Sequence, residues 1–226
     1  MANHGKKYVE SKKQVDSSKL YTIAEAIELL KKTMYTKFVP TVEIAINTFA
    51  NPKYNDQMIR STTILPHGTG KTKKIAVFVS EDKAAEAKKA GADIAGTEGL
   101  LNDIKAGKFE FDILITTPDH IRDLATVAKQ LGPKGLMPSP KAGTVVQNIA
   151  QAVEEIKKGK IEFKLDKTGN IHAPVGKGSF DAKQLEENIA SFIKAVEESK
   201  PTGVKGKLIK KIVISASMGP GIQIAC

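Results

Sequence analysis

Between residues 41 and 47 the chain alternates almost without error: Val42, Ile44 and Ile46 are apolar, while Thr41, Glu43, Ala45 and Asn47 are small or polar. A period of two marks a strand with one buried face, so a strand is predicted over residues 37–48, entered through Lys37 and Phe38. Its polar side is small and hydrogen-bonding, which suits the floor of a binding surface. The alternation returns at Ile161, Phe163 and Leu165, where the turn 167–170 leads to a second strand at 171–175 and predicts a hairpin. A last strand is predicted at 208–217, LIKKIVISAS, and is the expected sheet neighbour of 41–48. The two ends of the chain would then close into one domain. Two helices with apolar stripes accompany these strands. One opens with the capping box of Thr22 and Glu25 and buries Ile23, Ala26, Ile27 and Leu30. The other is capped by Asp181 and buries Leu185, Ile189, Phe192, Ile193 and Val196. Residues 1–20 read as a basic, weakly structured arm.

The middle of the chain has a different rhythm. IAVFVS (75–80) and FDILIT (111–116) are near-continuous apolar runs, as strands covered on both faces require. Ser80 can cap a helix running to Gly91, a brief strand follows at 93–95, and a helix covers about 98–106. Thr117-Pro118 opens another helix, with Ile121, Leu124, Ala125 and Ala128 inward. A helix with Ile149, Val153 and Ile156 stops at Gly159. Strands alternating with helices imply a parallel sheet. The expected fold is therefore an α/β two-domain chain. A split α+β domain with a mainly antiparallel sheet spans 1–67 and 160–226, and an inserted Rossmann-like three-layer α/β domain spans 68–159. The glycine-bearing crossings near 67–72 and 157–160 make the inserted domain a candidate for hinge motion.

Charge sharpens this division. Net charge is +10 over 226 residues, and the excess follows the split domain. Residues 1–67 carry 10 Lys+Arg and 6 Asp+Glu, residues 160–226 carry 11 and 7, and residues 68–159 carry 14 and 12. The ends together are +8 and the middle +2, which favours a polyanionic partner for the ends. Plain solubility accounts for the same charge. No apolar run is long enough to cross a bilayer, no secretory signal is evident, and a cytoplasmic location is the default. Cys226, the one cysteine, permits no internal disulfide and reads as a tolerated surface thiol.

Catalytic signatures fail on spacing. HGTGKT (67–72) would need glycine at position 65 to be a phosphate loop, and that position is Leu65. It also precedes a strand, whereas a phosphate loop runs from strand to helix. No G-x-G-x-x-G follows either buried strand, and no G-x-S-x-G elbow exists. His4, His67, His120 and His172 lack metal-ligand spacing; His172 alone sits on a strand of the basic domain, in position to touch RNA. No catalytic residue, metal or cofactor is expected.

Two constellations remain. Lys37, Phe38, Thr41 and Glu43 converge with Ser217, Met218 and Gly219 if strands 41–48 and 208–217 are close. Together they offer a cation, a ring, hydroxyls, a carboxylate and a closely approachable backbone to folded RNA. On chemistry alone, a core Phe38 and a merely solvated Glu43 fit equally well. The second is GPKGLMPSPKAGT (132–144), a rigid and unusual loop.

This loop, within IRDLATVAKQLGPKGLMPSPKAGTVV, closely resembles the signature of the large-subunit ribosomal protein L-one family, the protein of the mobile ribosomal stalk, in its bacterial form. LPHGTGK, FDILITTPD, KTGNIHAPVGK and SMGPG continue the resemblance in family order over nearly the whole chain. It implies a non-catalytic protein, monomeric outside the ribosome, with a split rRNA-binding domain. It further implies binding to large-subunit rRNA, help in releasing deacylated exit-site tRNA, and repression of its own mRNA through a similar RNA fold. By resemblance, Lys37, Phe38, Thr41 and Glu43 match the N-terminal RNA-contact segment, and Ser217, Met218 and Gly219 the C-terminal one. Asp166 and Lys167 are further carry-overs. Ser217 stands where the family usually has threonine. NTFANPKYNDQMIRST departs from the family's glycine-containing, arginine-rich run, so no contact is assigned there. The rival readings are a nucleotide- or cofactor-binding enzyme built on the middle domain, and a non-specific basic chaperone.

Overall fold

The computed structural model describes residues 5–225, so His4 and Cys226 lie outside the described residues. In chain order the elements begin with helices α1 (Lys6–Lys13) and α2 (Ile23–Thr33) and strands β1 (Thr41–Thr48) and β2 (Arg60–Ile64). Next come β3 (Ile75–Phe78), α3 (Glu81–Lys89), β4 (Ile94–Gly96), α4 (Glu98–Lys105), β5 (Ile113–Thr116), α5 (Ile121–Ala125), α6 (Ala128–Leu131) and α7 (Ile149–Lys157). The chain finishes with β6 (Lys160–Lys164), β7 (Asn170–Lys177), α8 (Ala182–Glu198), β8 (Ile209–Ala216) and β9 (Ile222–Ile224). Two compact units result: the residues up to Gly70 with those from Ile161 on, and Lys71–Lys160.

The first unit is built on a four-stranded antiparallel sheet in the order β7-β1-β8-β9. Val42, Ile44 and Ile46 of β1 are fully buried, beside Ile212 and Ile214 of β8 and Ile171, Ala173 and Val175 of β7. Helices α2 and α8 pack on each other and on the sheet. Their stripes (Ala26, Ile27 and Leu30; Leu185, Ile189, Phe192 and Val196) complete the core. Phe192 meets Phe163 edge-to-face with ring centres 5.3 Å apart, an arrangement that adds to simple burial. The capping box at Thr22 and Glu25 is formed, and a second joins Asp181 to Gln184. Asn188 is the one fully buried amide of α8. Its nitrogen donates to the carbonyls of Gly68 at 3.0 Å and Val175 at 2.8 Å, and its oxygen accepts from the His67 amide at 3.0 Å.

Four expectations for this unit are corrected. Residues 5–20 are not the weakly structured arm expected: α1 forms, Val15 enters the core, and the Tyr21 hydroxyl accepts from the Asp16 amide at 3.1 Å. Tyr21 also pairs with the end of β9, a strand absent from the sequence reading. Strand β1 starts at Thr41 rather than at residue 37, leaving Lys37 and Phe38 in an exposed bend before it. The expected hairpin over 160–175 opens after one bridge, Leu165 to Ile171. β6 then pairs with β2 while β7 pairs with β1, because each strand has its own apolar face to cover.

The second unit holds a parallel sheet in the order β4-β3-β5. All four residues of β3 are buried, as the continuous apolar run predicts for a strand covered on both sides. One side packs against Ala87, Ile149, Val153 and Ile156, the other against Leu100, Ile104, Leu124 and Leu131. The helix expected after Pro118 is broken. A 3-10 turn at Pro118–His120 precedes α5 and α6, and the Thr126 hydroxyl donates to the Asp123 carbonyl at 2.7 Å between the two helices. Local side chain-to-backbone bonds of this kind compete with the helical ladder. The buried residues are accordingly Leu124, Val127 and Leu131, and Ala125 is exposed.

Candidate nucleic-acid interface

Because α2 and α8 cover one face of the four-stranded sheet, its other face is left to solvent. Glu43, His172, Pro174 and Lys211 are exposed on it, with Thr41, Ala45, Asn47, Val213 and Ser215 half-buried between them. Proline is tolerated in β7 because that strand is the sheet edge.

At the Thr41 end, chain segments 176 positions apart are tied backbone to backbone. The Ser217 amide donates to the Thr41 carbonyl at 2.9 Å. The Ser217 hydroxyl accepts from the Thr41 amide at 3.2 Å and donates to the Thr41 carbonyl at 3.3 Å. A register shift between Val42 and Glu43 sets Thr41 opposite Lys177, and the Lys177 ammonium donates to the Thr41 hydroxyl at 3.1 Å. Bulges of this kind re-aim side chains next to functional sites.

Two apolar side chains flank this junction in the open. Phe38 is 55% exposed and Met218 69%. The Thr36 hydroxyl donates to the Phe38 carbonyl at 2.9 Å, shaping the bend that turns Phe38 outward. Met218 is the only non-glycine residue with positive φ (66°) among the described residues, a conformation that costs an L-residue about 1 kcal/mol. The Gly219 amide closes the turn on the Ala216 carbonyl at 2.8 Å, and a β-carbon on Gly219 would approach that oxygen to 3.2 Å. Lys37 is exposed beside Phe38. The Glu43 carboxylate is exposed and has no hydrogen-bond or salt-bridge partner among the described residues.

Seven of the nine residues singled out in the sequence thus share one end of the sheet. Asp166 and Lys167 do not. They lie in the turn before β7, at the Asn47 end, and six residues of β1 separate the two ends, about 20 Å. Asp166 organises that turn by accepting from the Thr168 amide at 2.8 Å, the Asn170 amide at 2.7 Å and the Thr168 hydroxyl. Burial pushes its carboxyl up, but these bonds and the nearby His172 outweigh it and hold the carboxyl down at about 2. Gly169 supplies the left-handed residue of the turn, with φ 82°.

Two contributors escape sequence reading. Tyr35 donates its hydroxyl to the Met218 carbonyl at 2.6 Å, and Lys177 engages Thr41 as described. Neither carries a local signal, since each partner lies well over a hundred positions away.

In the second unit, a cavity of about 560 Å³ is lined by Thr72, Lys73, Asp93, Phe109, Phe111 and Asp112. It sits where strands β3, β4 and β5 begin, whereas ligands of open parallel sheets bind where the strands end. Two of its carboxylates are engaged: Asp93 accepts from the Ile75 amide at 2.8 Å and Asp112 from the Lys74 amide at 3.0 Å.

The chain is basic and leaves one face of its four-stranded sheet open and largely polar. The sequence model described as the ribosomal protein L1p/L10e family matches residues 30–220, which takes in all nine singled-out residues. The chain belongs to that family, whose members are structural rRNA-binding proteins of the large ribosomal subunit rather than enzymes. Association with the ribosome follows from membership, and no helix among the described residues is long and apolar enough to cross a membrane.

Proposed function

We propose that the Thr41 end of the open sheet face is the surface that grips large-subunit rRNA. One observation carries this reading: Phe38 and Met218, from opposite ends of the chain, are both more than half exposed on either side of the Thr41–Ser217 junction. Side chains of this kind pack on sugars and unstacked bases, and the shape is preformed, so little ordering entropy opposes binding. Glu43 can accept from base amino groups, and the Thr41 hydroxyl, which accepts from Lys177, still has its proton for a 2′-hydroxyl or base edge. The Ser217 hydroxyl has a different part. Its bonds to Thr41 hold the junction together and leave it little capacity to read RNA. Lys37 supplies a phosphate contact that salt weakens. Asp166 and Lys167 contribute at the far end of the sheet.

The finer roles belong to the same proposal. The unit built from both chain ends holds the protein on the rRNA stalk, and the Lys71–Lys160 unit meets tRNA leaving the exit site. An mRNA segment that reproduces the rRNA fold would compete for the same face and repress translation of the protein's own message. The sequence resemblance and the family match support these roles. Binding to a defined large-subunit rRNA fragment, compared with a scrambled RNA of equal length, tests the core of the reading. Tight binding to the fragment alone is expected; equal binding to both would make the protein a non-specific chaperone, and binding to neither would end the proposal.

A further inference from the structure

Three loops meet at the Asn47 end of the sheet. The Thr48 amide donates to the Gly169 carbonyl at 3.0 Å, and the Phe49 amide to the Leu208 carbonyl at 2.9 Å. Gln57 accepts from the Asn51 amide at 2.8 Å and donates to the Gly203 carbonyl at 3.3 Å. Segments 49–58, 166–169 and 200–211 are thereby fixed against one another.

On the first of these segments Phe49 is 58% exposed, Tyr54 57% and Met58 50%. The three segments carry seven lysines and two aspartates, and one of the aspartates, Asp166, is occupied within its own turn. The Lys210 ammonium lies 5.9 Å from the centre of the Phe49 ring. Single exposed apolar residues are ordinary on a protein surface. Three on one short loop, fixed beside a lysine-rich strand start, are a different composition. Flat faces that accept any base, interleaved with cations for the backbone, are what an unpaired polynucleotide needs. Phe, Tyr and Met are enriched in protein interfaces as well, but lysine is depleted there, so the seven lysines are what favour a polynucleotide over a protein.

We infer that this end is a second RNA-contact site, taking unpaired nucleotides by stacking on Phe49 and Tyr54 and phosphates on Lys210 and its neighbours. The inference rests on the reading that this unit binds RNA, and it adds a site separated from Met218 by about the length of a strand. A folded RNA held at the Phe38–Met218 end would lay a single-stranded extension here.

The test uses a fluorescent oligouridylate of about 12 nucleotides, a length that single-strand platforms accommodate. Its affinity is measured by anisotropy for the intact chain and for the double variant Phe49→Ala/Tyr54→Ala. The double variant is expected to bind about a hundredfold more weakly, the loss of two stacked bases. Both aromatic residues are more than half exposed, so the thermal transition should not move, and a melt confirms that each variant is folded. Two outcomes overturn the inference: no oligouridylate binding at all, as a protein-docking patch would give, or binding indifferent to the double substitution. Binding of the structured rRNA fragment to Met218→Asp, run in parallel, reports on the first surface alone and separates the two failures.

Discussion

The Tyr35 hydroxyl donates to the Met218 carbonyl at 2.6 Å, across 183 positions of sequence. The bond fixes the one described non-glycine residue in the left-handed region and so aims an exposed thioether outward. Tyr35 is a positioning residue. Tyr35→Phe keeps the ring and removes the bond, which should cost about 1 kcal/mol of stability. Affinity for the rRNA fragment should fall up to about tenfold, since Met218 is no longer preorganised. Calorimetric melting and fragment binding on the same samples check both.

Met218→Gly separates conformation from contact. Glycine removes the strain of φ 66°, a gain of about 1 kcal/mol that its greater freedom in the unfolded chain largely offsets. Denaturant unfolding should therefore show stability within about 0.5 kcal/mol of the intact chain, while fragment binding weakens.

Asn188 is fully buried and satisfies the His67 amide and the carbonyls of Gly68 and Val175. Asn188→Ala orphans all three, and urea titration should report a loss of about 3 kcal/mol. This is a larger effect than any exposed substitution at the candidate interface should have.

Acid should loosen the turn before β7. Asp166 is held at about 2 against an ordinary 3.8, so its stabilisation is present above about pH 4 and is lost as pH falls from there toward 2. The side chain is 37% exposed, which screens the effect to about 1 kcal/mol. Unfolding titrations of Asp166→Asn should lack this part of the acid dependence and converge with the intact chain near pH 2.

Much of this architecture was written locally in the chain. The alternation of Val42, Ile44 and Ile46 announced a one-sided strand, and all three are fully buried. The capping box at Thr22 and the buried run at Ile75 behaved as their patterns require. What misled was competition from partners far along the chain. β6 and β7 read as a hairpin because their turn is a good one, yet each strand found a better neighbour elsewhere. The short β9 and the helix at Lys6–Lys13 have weak patterns of their own and form against surfaces supplied by the rest of the unit. At the candidate site the sequence singled out Phe38 and Met218 but left open whether Phe38 is core. Its exposure decides that question, and the Tyr35 and Lys177 bonds emerge only in three dimensions.

The most direct test of the central claim is the affinity of Met218→Asp for the structured rRNA fragment. Aspartate tolerates the left-handed backbone, so the variant should fold and melt as the intact chain does. A carboxylate placed where the thioether meets the RNA should lower specific affinity by about a hundredfold or more, through lost packing and repulsion from phosphate. A folded variant that still binds the fragment with undiminished affinity would contradict the account, because the RNA would then lie on some other face of the molecule.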